Sequence, residues 1–229
     1  MSHSNIVAED LHKLLQTNMI KLRDIHRNYD TDKGTSHSYI DLYDELFEPF
    51  QNEPINLCEV GARVCGGLKM FNEYFANATL YGVDNWQEPN GNIEPDNLSN
   101  IYVSGFYGAR IHVSDLQRDI ADNYPRIKLV TCNSTRQDQV IANFGNLKFR
   151  AIIDDGDHRF FIQFETFKNF ISLLDDNGIY VVEDVADPDK FVLNNMIKEY
   201  LAANNLNRTT EIREFRKNGL GDDIVIIIR

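Results

Sequence analysis

The sequence predicts an α/β fold built on a doubly wound, mostly parallel sheet of seven strands. From residue 55 onward, five short apolar runs alternate with amphipathic segments. Continuous apolar runs are typical of strands buried on both faces, and their alternation with helices is typical of parallel strands linked by crossovers. Two further β-rich runs close the chain, at residues 209–215 and 223–228, and predict a C-terminal antiparallel hairpin.

Each element of this fold has a local signal. The predicted parallel strands are residues 55–60, 79–84, 127–132, 151–154 and 179–183. The predicted helices of the sheet region, which have apolar residues at helical spacing, are residues 68–76, 114–124, 137–144, 160–174 and 190–204. Ser114 is expected to cap the second of these helices, and Asn177 with Gly178 is expected to end the fourth.

Helical periodicity also predicts an N-terminal extension over residues 1–50, with helices at 5–26 and 39–50. The first helix carries no pattern that suggests chemistry, so we interpret it as a packing or oligomer-contact element and expect a homo-oligomer. The long polar connection at 85–112 is predicted to be a substrate lid, because such long connections in compact domains usually have a function. A chain of 229 residues fits one domain, residues 1–229.

The composition narrows the class of partner. Hydrophobic residues make up 42% and charged residues 25%, which predicts a folded core. The net charge of −12 disfavours nucleic acid and anionic membranes as partners, and no apolar run reaches the roughly 18 residues of a membrane span. The polar first residues do not resemble a signal peptide, and three cysteines without CxxC spacing favour reduced thiols. We therefore expect a cytoplasmic protein that acts on a small molecule.

Ligands of open α/β sheets bind beyond the carboxyl ends of the strands, so the residues there form the candidate site. A glycine-containing turn at residues 59–67 follows the first strand and lets the backbone approach a ligand closely. The turn lacks both the GxGxxG and the GK[ST] patterns. Asp84, at the end of the second strand, suits the two hydroxyls of a ribose. The alternative is a set of turn glycines beside a solvated carboxylate.

The ends of the fourth and fifth strands carry a sharper pattern. Four carboxylates and one histidine follow these strands: Asp154, Asp155, His158, Glu183 and Asp184. Because neighbouring carboxylates repel one another unless a cation or protons compensate, the cluster predicts a metal site. Oxygen ligands without a thiolate favour Mg²⁺ and also suit Mn²⁺ or Ca²⁺. The alternative, in which the aspartates cap the following helices, accounts for one or two of them.

The ordered set of motifs gives the chain a family resemblance. The motifs are Tyr29-Asp-Thr-Asp-Lys33, His37-Ser-Tyr39, Leu57-Cys-Glu-Val-Gly61, Tyr81-Gly-Val-Asp84, Ile152-Ile-Asp-Asp-Gly-Asp-His158 and Tyr180-Val-Val-Glu-Asp184. The set resembles the metal-dependent sugar O-methyltransferases, class I S-adenosylmethionine (SAM) enzymes known from macrolide tailoring of the mycinamicin type and from bacterial glycan clusters. The resemblance covers most of the chain and implies a Rossmann-like class I methyltransferase sheet.

The resemblance also implies roles for single residues. Those that match the SAM-binding turn, the ribose-binding acid and the adenine side are Glu59, Gly61, Gly66, Asp84, Asn133 and Ser134. Those that match the metal ligands are Asp155, Glu183 and Asp184, and His158 matches the general base. The chain departs from the family at residues 65–67, where Cys-Gly-Gly replaces Gly-Gly-Ser, at Asp157, where Ser is common, and at 133–134, where Asn-Ser replaces Asp-Gln.

The implied reaction is methyl transfer from SAM to a sugar hydroxyl, which is a poor nucleophile at neutral pH. A cation held by Asp155 and its neighbours can bind two adjacent sugar oxygens, lower the pKa of the reacting one and fix its line of attack. His158 can then take the proton as the methyl group moves. The alternative role for His158 is an orienting hydrogen bond to a carboxylate ligand.

The sequence thus predicts a SAM- and Mg²⁺-dependent O-methyltransferase that acts on a sugar in a nucleotide sugar, a glycan precursor or a glycosylated metabolite. One alternative is a catechol-type or other small-molecule diol O-methyltransferase of the same fold, because two vicinal oxygens on a cation serve both reactions. The other alternative is a non-catalytic protein of this fold that serves as a partner subunit.

Overall fold

The structure of the protein is a computed structural model that describes residues 19–86, 101–108, 110–217 and 219–229. Most of the predicted first helix at 5–26 and the central part of the predicted lid lie outside these ranges. Within them, no helix is long and apolar enough to cross a membrane.

The described residues form a seven-stranded sheet and a separate two-stranded hairpin. The strands of the sheet are β1 (Asn56–Val60), β2 (Thr79–Asp84), β5 (Ile127–Thr131), β6 (Phe149–Asp154), β7 (Leu174–Val182), β8 (Thr210–Glu214) and β9 (Ile224–Ile228). The separate hairpin joins β3 (Tyr102–Ser104) and β4 (Arg110–His112). The order across the sheet is β5-β2-β1-β6-β7-β9-β8, in which β9 runs antiparallel to both neighbours and the other pairs are parallel. The predicted mostly parallel sheet with an antiparallel C-terminal hairpin is confirmed.

The helices fall where the apolar periodicity predicts them. The α-helices of the described ranges are α1 (Leu22–Ile25), α2 (Ile40–Phe47), α3 (Gly66–Tyr74), α4 (Val113–Asn123), α5 (Gln137–Phe144), α6 (Phe160–Phe170) and α7 (Lys190–Ala203). Short 3₁₀ turns follow α1, α2 and α6, at His26–Asn28, Glu48–Phe50 and Ile171–Leu173. The predicted helix at 39–50 is thus confirmed as α2 with its 3₁₀ turn.

Two expected helix ends are wrong. Asn177 and Gly178 lie inside β7 and therefore do not end α6. The chain already enters the strand at Leu174, because Leu174 pairs with Phe149 of β6. Ser114 lies inside α4 rather than before it, and its hydroxyl is 2.7 Å from a ring nitrogen of the preceding histidine. The first error arises from strand pairing between distant segments, and the second from a contact with His112, two residues before Ser114.

The sheet is covered on both faces, as a doubly wound fold requires. Side chains that alternate along β1 enter two cores, with Leu57 in one and Cys58 in the other. The first core includes Tyr43 of α2 and Phe71 of α3, whose rings meet edge to face at 5.6 Å. The second core includes Phe167 of α6. Helix α2 of the N-terminal extension is therefore an integral part of the core.

The segment at residues 29–39, which we call the N-terminal strap, lies across the carboxyl ends of the strands. The backbone N–H of Ser38 donates a hydrogen bond of 3.0 Å to Oδ1 of Asp223, beside β9. At the other end of the strap, Oδ1 of Asp30 accepts a hydrogen bond of 2.7 Å from the backbone N–H of Phe106, in the β3–β4 loop. The strap is thus held both by the C-terminal hairpin and by the described part of the predicted lid.

Candidate active site

The carboxyl ends of β1, β6 and β7 meet at one edge of the sheet, as predicted. Strand β6 pairs in parallel with β7, and the backbone N–H of Glu183 donates to the carbonyl of Asp154 at 2.9 Å. The N–H of Asp155 donates to the carbonyl of Val60, at the end of β1, also at 2.9 Å. The residues that follow these three strands are therefore brought within reach of one another.

Two carboxylates and an imidazole converge at this edge. Nε2 of His158 lies 3.5 Å from Oδ1 of Asp155 and 3.5 Å from Oδ2 of Asp184. One nitrogen or oxygen atom from each of the three side chains lies within 4.8 Å of the other two, which is close enough for a single metal ion. The side chain of His158 is 42% exposed, whereas Asp184 is buried. The group is therefore open to solvent on the histidine side.

Glu183, the third predicted metal ligand, is turned to other partners. Its Oε2 atom accepts a hydrogen bond of 2.7 Å from Nζ of Lys33, and its Oε1 atom accepts one from the hydroxyl of Tyr43. The structure thus brings Asp155 and Asp184 together with His158, and it places Glu183 on an ammonium and a phenol.

The glycines after β1 make room for the backbone of the protein itself. Gly61 has φ +87°, and a Cβ atom there would lie 2.0 Å from the carbonyl oxygen of Asp155. A Cβ atom on Gly66 would lie 1.7 Å from the carbonyl oxygen of Asp30 in the strap. Both glycines, with Glu59, line a cavity of about 260 Å³. The space that these glycines leave, which the sequence analysis assigned to a ligand, is therefore partly occupied by the backbone of the strap and of Asp155.

Asp84 lies at the end of β2 and lines a second cavity of about 1070 Å³. Its Oδ2 atom accepts a hydrogen bond of 2.8 Å from the backbone N–H of Arg63, and its Oδ1 atom accepts one of 2.7 Å from that of Trp86. These two bonds fix the carboxylate at the wall of the cavity. A carboxylate has about four lone-pair sites, so the group can accept a further hydrogen bond from a hydroxyl.

Asn133 and Ser134 line the same large cavity, together with Asp155 and His158. Oδ1 of Asn133 accepts hydrogen bonds from the N–H and the hydroxyl of Thr135, at 3.0 and 2.8 Å. The Ser134 hydroxyl is 2.8 Å from that of a threonine in α6. The predicted cofactor residues Asp84, Asn133 and Ser134 therefore share one cavity with the predicted catalytic residues.

Comparison with solved structures identifies the fold. The chain is similar to the MycE methyltransferase from the mycinamycin biosynthetic pathway, solved in complex with Mg and SAH, with a TM-score of 0.65, 16% identity, and coverage of 93% of this chain and 55% of that one. It is also similar to precorrin-6y C5,15-methyltransferase from Geobacter metallireducens, with a TM-score of 0.52, 9% identity, and coverage of 82% and 86%. At such identities the likeness concerns the fold, which is that of the Rossmann-like methyltransferases.

Sequence comparison adds a more specific relationship. No family model matches the chain. The chain is 27% identical over 169 residues to 8-demethyl-8-alpha-L-rhamnosyl tetracenomycin-C 2'-O-methyltransferase of Streptomyces olivaceus. The chain is therefore similar in sequence to a sugar O-methyltransferase. The match covers 68% of this chain and 35% of that relative, so the chain spans about a third of the length of the relative. The resemblance predicted from the motifs is confirmed.

Lys33 is a residue of the site to which the sequence analysis assigned no role. Its side chain is 1% exposed, and Nζ lies 2.6 Å from Oδ2 of Asp155, 2.7 Å from Oε2 of Glu183 and 3.3 Å from Oε1 of Glu59. Burial alone would lower the pKa of Lys33, but these carboxylates raise it well above its usual value, so the side chain stays charged. Its place in the Tyr29–Lys33 motif was the available signal.

The strap supplies two more contacts to the acidic group. The hydroxyl of Tyr39 donates a hydrogen bond of 2.6 Å to Oδ1 of Asp184. Nδ1 of His37 lies 3.2 Å from the same oxygen, and the rings of His37 and Tyr39 stack at 5.1 Å. Both side chains therefore approach Asp184 through Oδ1, while its Oδ2 atom faces His158.

Burial and crowded charge shift the pKa values of this cluster. Burial raises the pKa of Asp154 to about 8, and burial with the charge of Asp155 raises that of Asp184 to about 6. Burial would also raise the pKa of Asp155, but the charges and hydrogen bonds of Lys33 and His158 together hold it below its usual range. Burial disfavours protonated His158, yet its hydrogen bond to Asp155 and the charge of Asp184 raise its pKa to about 9. The cluster therefore retains protons near neutral pH, and a divalent cation would displace them.

Proposed function

We propose that this chain is a SAM-dependent O-methyltransferase that requires a divalent cation and methylates a sugar hydroxyl. The observation that carries the proposal is the convergence of Asp155, His158 and Asp184, the first two of which line the same cavity as Asp84. A cation-binding group and a ribose-binding acid beside one cavity are the two parts that such a reaction needs. The relationship to a sugar 2'-O-methyltransferase supports this assignment.

The donor set fits a divalent cation. Oxygens of Asp155 and Asp184 lie within 4.8 Å of each other and of a ring nitrogen of His158, and carboxylate oxygens suit Mg²⁺ and Mn²⁺. Asp155 and Asp184 would hold the ion, and Glu183, the third predicted ligand, would join them only by giving up its contact with Lys33 or Tyr43. A bound cation would bring two neighbouring sugar oxygens together and lower the pKa of the hydroxyl that is methylated. The MycE neighbour was solved with Mg bound, which is consistent with this proposal.

The two cavities fit a nucleoside cofactor and an acceptor. At about 1070 Å³, the larger cavity reaches the upper end of the roughly 300–1,000 Å³ that small-molecule sites occupy. In our proposal the carboxylate of Asp84 accepts hydrogen bonds from the ribose hydroxyls of SAM. The turn with Glu59, Gly61 and Gly66 borders its methionine end, and Asn133 with Ser134 borders the adenine. The MycE neighbour was solved with SAH, the product of methyl transfer from SAM.

His158 is proposed to accept the proton of the reacting hydroxyl on Nε2. His158 lines the cavity, and the carboxylates of Asp155 and Asp184, each 3.5 Å from Nε2, orient its ring while it is protonated. A pKa of about 9 means that His158 must first lose its own proton to act as a base at neutral pH. A cation held by Asp155 and Asp184 would favour that loss, because it would neutralise the negative charge of the carboxylates that stabilises protonated His158.

A sugar acceptor is supported over an aromatic diol by the sequence relative, whose name describes methylation at a 2'-oxygen of a rhamnosyl compound. We therefore propose an acceptor that carries a sugar with two adjacent oxygens, in a nucleotide sugar, a glycan precursor or a glycosylated metabolite. A catechol-type or other diol acceptor remains the alternative.

The test is a methyl-transfer assay with SAM and two acceptor sets, rhamnose-containing glycosides and nucleoside diphosphate sugars, with SAH release measured. We expect turnover with Mg²⁺ or Mn²⁺ and none in EDTA. Asp155→Asn should lose turnover, whereas Asp115→Asn, at an exposed position of α4, should keep it. Full turnover in EDTA would contradict the cation requirement. Methylation of catechols and of no sugar would support the diol alternative instead.

A further inference from the structure

Lys33 places a fixed positive charge among the carboxylates of the site. Its Nζ atom lies within 3.3 Å of oxygens of Asp155, Glu183 and Glu59. An ammonium group has three N–H donors, so these three carboxylates match its full donor capacity. The side chain is 1% exposed, and water therefore does little to screen its charge.

The contacts of Lys33 divide the oxygens of the cluster into two groups. Oε2 of Glu183 accepts a hydrogen bond from Lys33, and its Oε1 accepts one from the hydroxyl of Tyr43 in α2. Oδ2 of Asp155 accepts a hydrogen bond from Lys33, while its Oδ1 lies 3.5 Å from Nε2 of His158. Oδ2 of Asp184 lies at the same distance from that nitrogen. The two oxygens that lie near His158, Oδ1 of Asp155 and Oδ2 of Asp184, are therefore not the oxygens that contact the ammonium group of Lys33.

We propose that Lys33 is a positioning residue that serves as a resident counter-ion, holding Glu183 and one oxygen of Asp155 and weakening the affinity of the cluster for a divalent cation. The inference rests on the proposed function, because it takes a divalent cation as the ligand of Asp155 and Asp184. Two positive groups that share Asp155 repel each other over a few ångströms in a buried site, where such repulsion is strong. Lys33 thereby keeps the bound cation exchangeable.

The same ammonium links two parts of the site. Glu59 lies under the glycine turn, since a Cβ atom on Gly67 would meet its Oε1 atom at 2.4 Å. Lys33 therefore ties the turn predicted to bind the cofactor to the carboxylates predicted to bind the cation. Removing the ammonium should disturb both, and in different directions: tighter cation binding and weaker SAM binding.

The test measures the Mg²⁺ affinity of the full chain by isothermal titration at pH 8, where few protons compete with Mg²⁺ for the carboxylates. Lys33→Met removes the charge, and Lys33→Gln removes the charge but retains a hydrogen-bond donor. We expect both variants to bind Mg²⁺ at least tenfold more tightly than the parent. Lys33→Arg, which keeps the charge, should bind it within threefold of the parent.

Lys190→Met is the matched control. Lys190 is also buried and contacts two carboxylates, Asp187 at 2.7 Å and Glu214 at 2.5 Å, but neither belongs to the proposed cation site. Its Mg²⁺ affinity should equal that of the parent. Thermal unfolding gives a second readout: in EDTA Lys33→Met should unfold at a lower temperature than the parent, and Mg²⁺ should raise that temperature more than it does for the parent.

Each outcome decides the inference. Equal or weaker Mg²⁺ binding by Lys33→Met and Lys33→Gln overturns it and leaves the proposed function intact, because the parent still binds the cation. A lack of Mg²⁺ binding by the parent and by all variants overturns both, since no cation then competes with Lys33. If the two neutral variants do not fold, Lys33→Arg decides: a Mg²⁺ affinity within threefold of the parent supports the inference, and a larger change overturns it because geometry rather than charge then matters.

Discussion

The hydroxyl of Tyr39 donates a hydrogen bond of 2.6 Å to Oδ1 of Asp184, across a sequence separation of 145 residues. Burial and the charge of Asp184 raise the pKa of Tyr39 far above its usual value, so the hydroxyl remains a donor. Because the other oxygen of Asp184 faces His158, this hydrogen bond fixes the rotation of the carboxylate towards the proposed cation site.

Tyr39→Phe should therefore weaken cation binding without changing the charge of the site. We expect Mg²⁺ affinity to fall about tenfold, because outer partners that orient metal ligands have effects of that size. The free energy of unfolding should fall by about 1 kcal/mol, the typical net contribution of one hydrogen bond. Isothermal titration and urea denaturation measure the two effects. The expected change in Mg²⁺ affinity is opposite to that for Lys33→Met, which should bind the cation more tightly.

Tyr180→Phe is the control for this prediction. The Tyr180 hydroxyl is buried, and among the described residues it has no hydrogen-bond partner. Its removal should leave Mg²⁺ affinity unchanged and should not lower the free energy of unfolding. Equal Mg²⁺ affinities for Tyr39→Phe and Tyr180→Phe would show that the hydroxyl of Tyr39 does not orient Asp184.

Asp84→Ala should weaken SAM binding and leave Mg²⁺ binding unchanged. The substitution removes two potential charge-assisted hydrogen bonds to the ribose, each worth roughly 1.5–3 kcal/mol. It also removes the acceptors of the N–H groups of Arg63 and Trp86. We expect SAM affinity to fall at least tenfold by isothermal titration, and less for Asp84→Asn, which keeps one acceptor oxygen. Asp115→Ala is the control, and parental SAM affinity in Asp84→Ala would refute the assignment.

His158→Ala should show a defect in the chemical step rather than in SAM binding. If His158 is the base, kcat should fall by about 10²- to 10⁴-fold while SAM affinity stays the same. Some turnover should remain and should rise with pH, as hydroxide replaces the imidazole. The measurement is turnover against Mg²⁺ concentration. Full recovery at saturating Mg²⁺ would instead mean that His158 orients or binds the cation.

Glu45→Gln should reduce stability in a pH-dependent way. Both oxygens of Glu45 accept hydrogen bonds from Arg213, at 2.7 and 2.8 Å, and these lower the pKa of Glu45. A carboxylate whose pKa is lower in the folded chain stabilises it above the unfolded pKa of about 4.3, and the effect is lost as the pH falls through the folded pKa. Because the Glu45 side chain is 55% exposed, we expect a loss of about 0.2–1 kcal/mol at pH 7.

Urea denaturation at pH 7, 5 and 3 measures this difference, which should shrink below pH 5 and vanish towards pH 3. Glu53→Gln is the control, because Glu53 makes no ion pair within the described ranges. A difference that is constant over this pH range would mean that the Glu45–Arg213 pair is not its source.

The sheet could be predicted because its signals are local. Each buried strand is a short apolar run, and the helices between them show helical periodicity, so the element order follows from neighbouring residues. The position at which a helix ends depends more on contacts with distant residues. Asn177 and Gly178 belong to β7 rather than to a helix end, because the pairing of Leu174 with Phe149 extends the strand.

The acidic half of the candidate site could also be predicted. Asp155, His158 and Asp184 follow strands that had to be neighbours in a parallel sheet, and the structure brings them together. The partners of Glu183 could not be predicted, because Lys33 and Tyr43 lie 150 and 140 residues away in the sequence. A lysine in a polar turn has no local feature that marks it as 1% exposed.

The sequence by itself determined the order of the strands and helices of the seven-stranded sheet, the glycine turn and the acidic residues at the strand ends, because hydrophobic periodicity and position along a strand are properties of short segments. It did not predict the separate β3–β4 hairpin, which lies in the predicted lid. Only the tertiary structure decided that the N-terminal strap lies across those strand ends, with Lys33 among the carboxylates and Tyr39 on Asp184. The physical reason is that a buried charge is stable only where opposite charges and hydrogen bonds surround it, and residues more than 100 positions away supply them here.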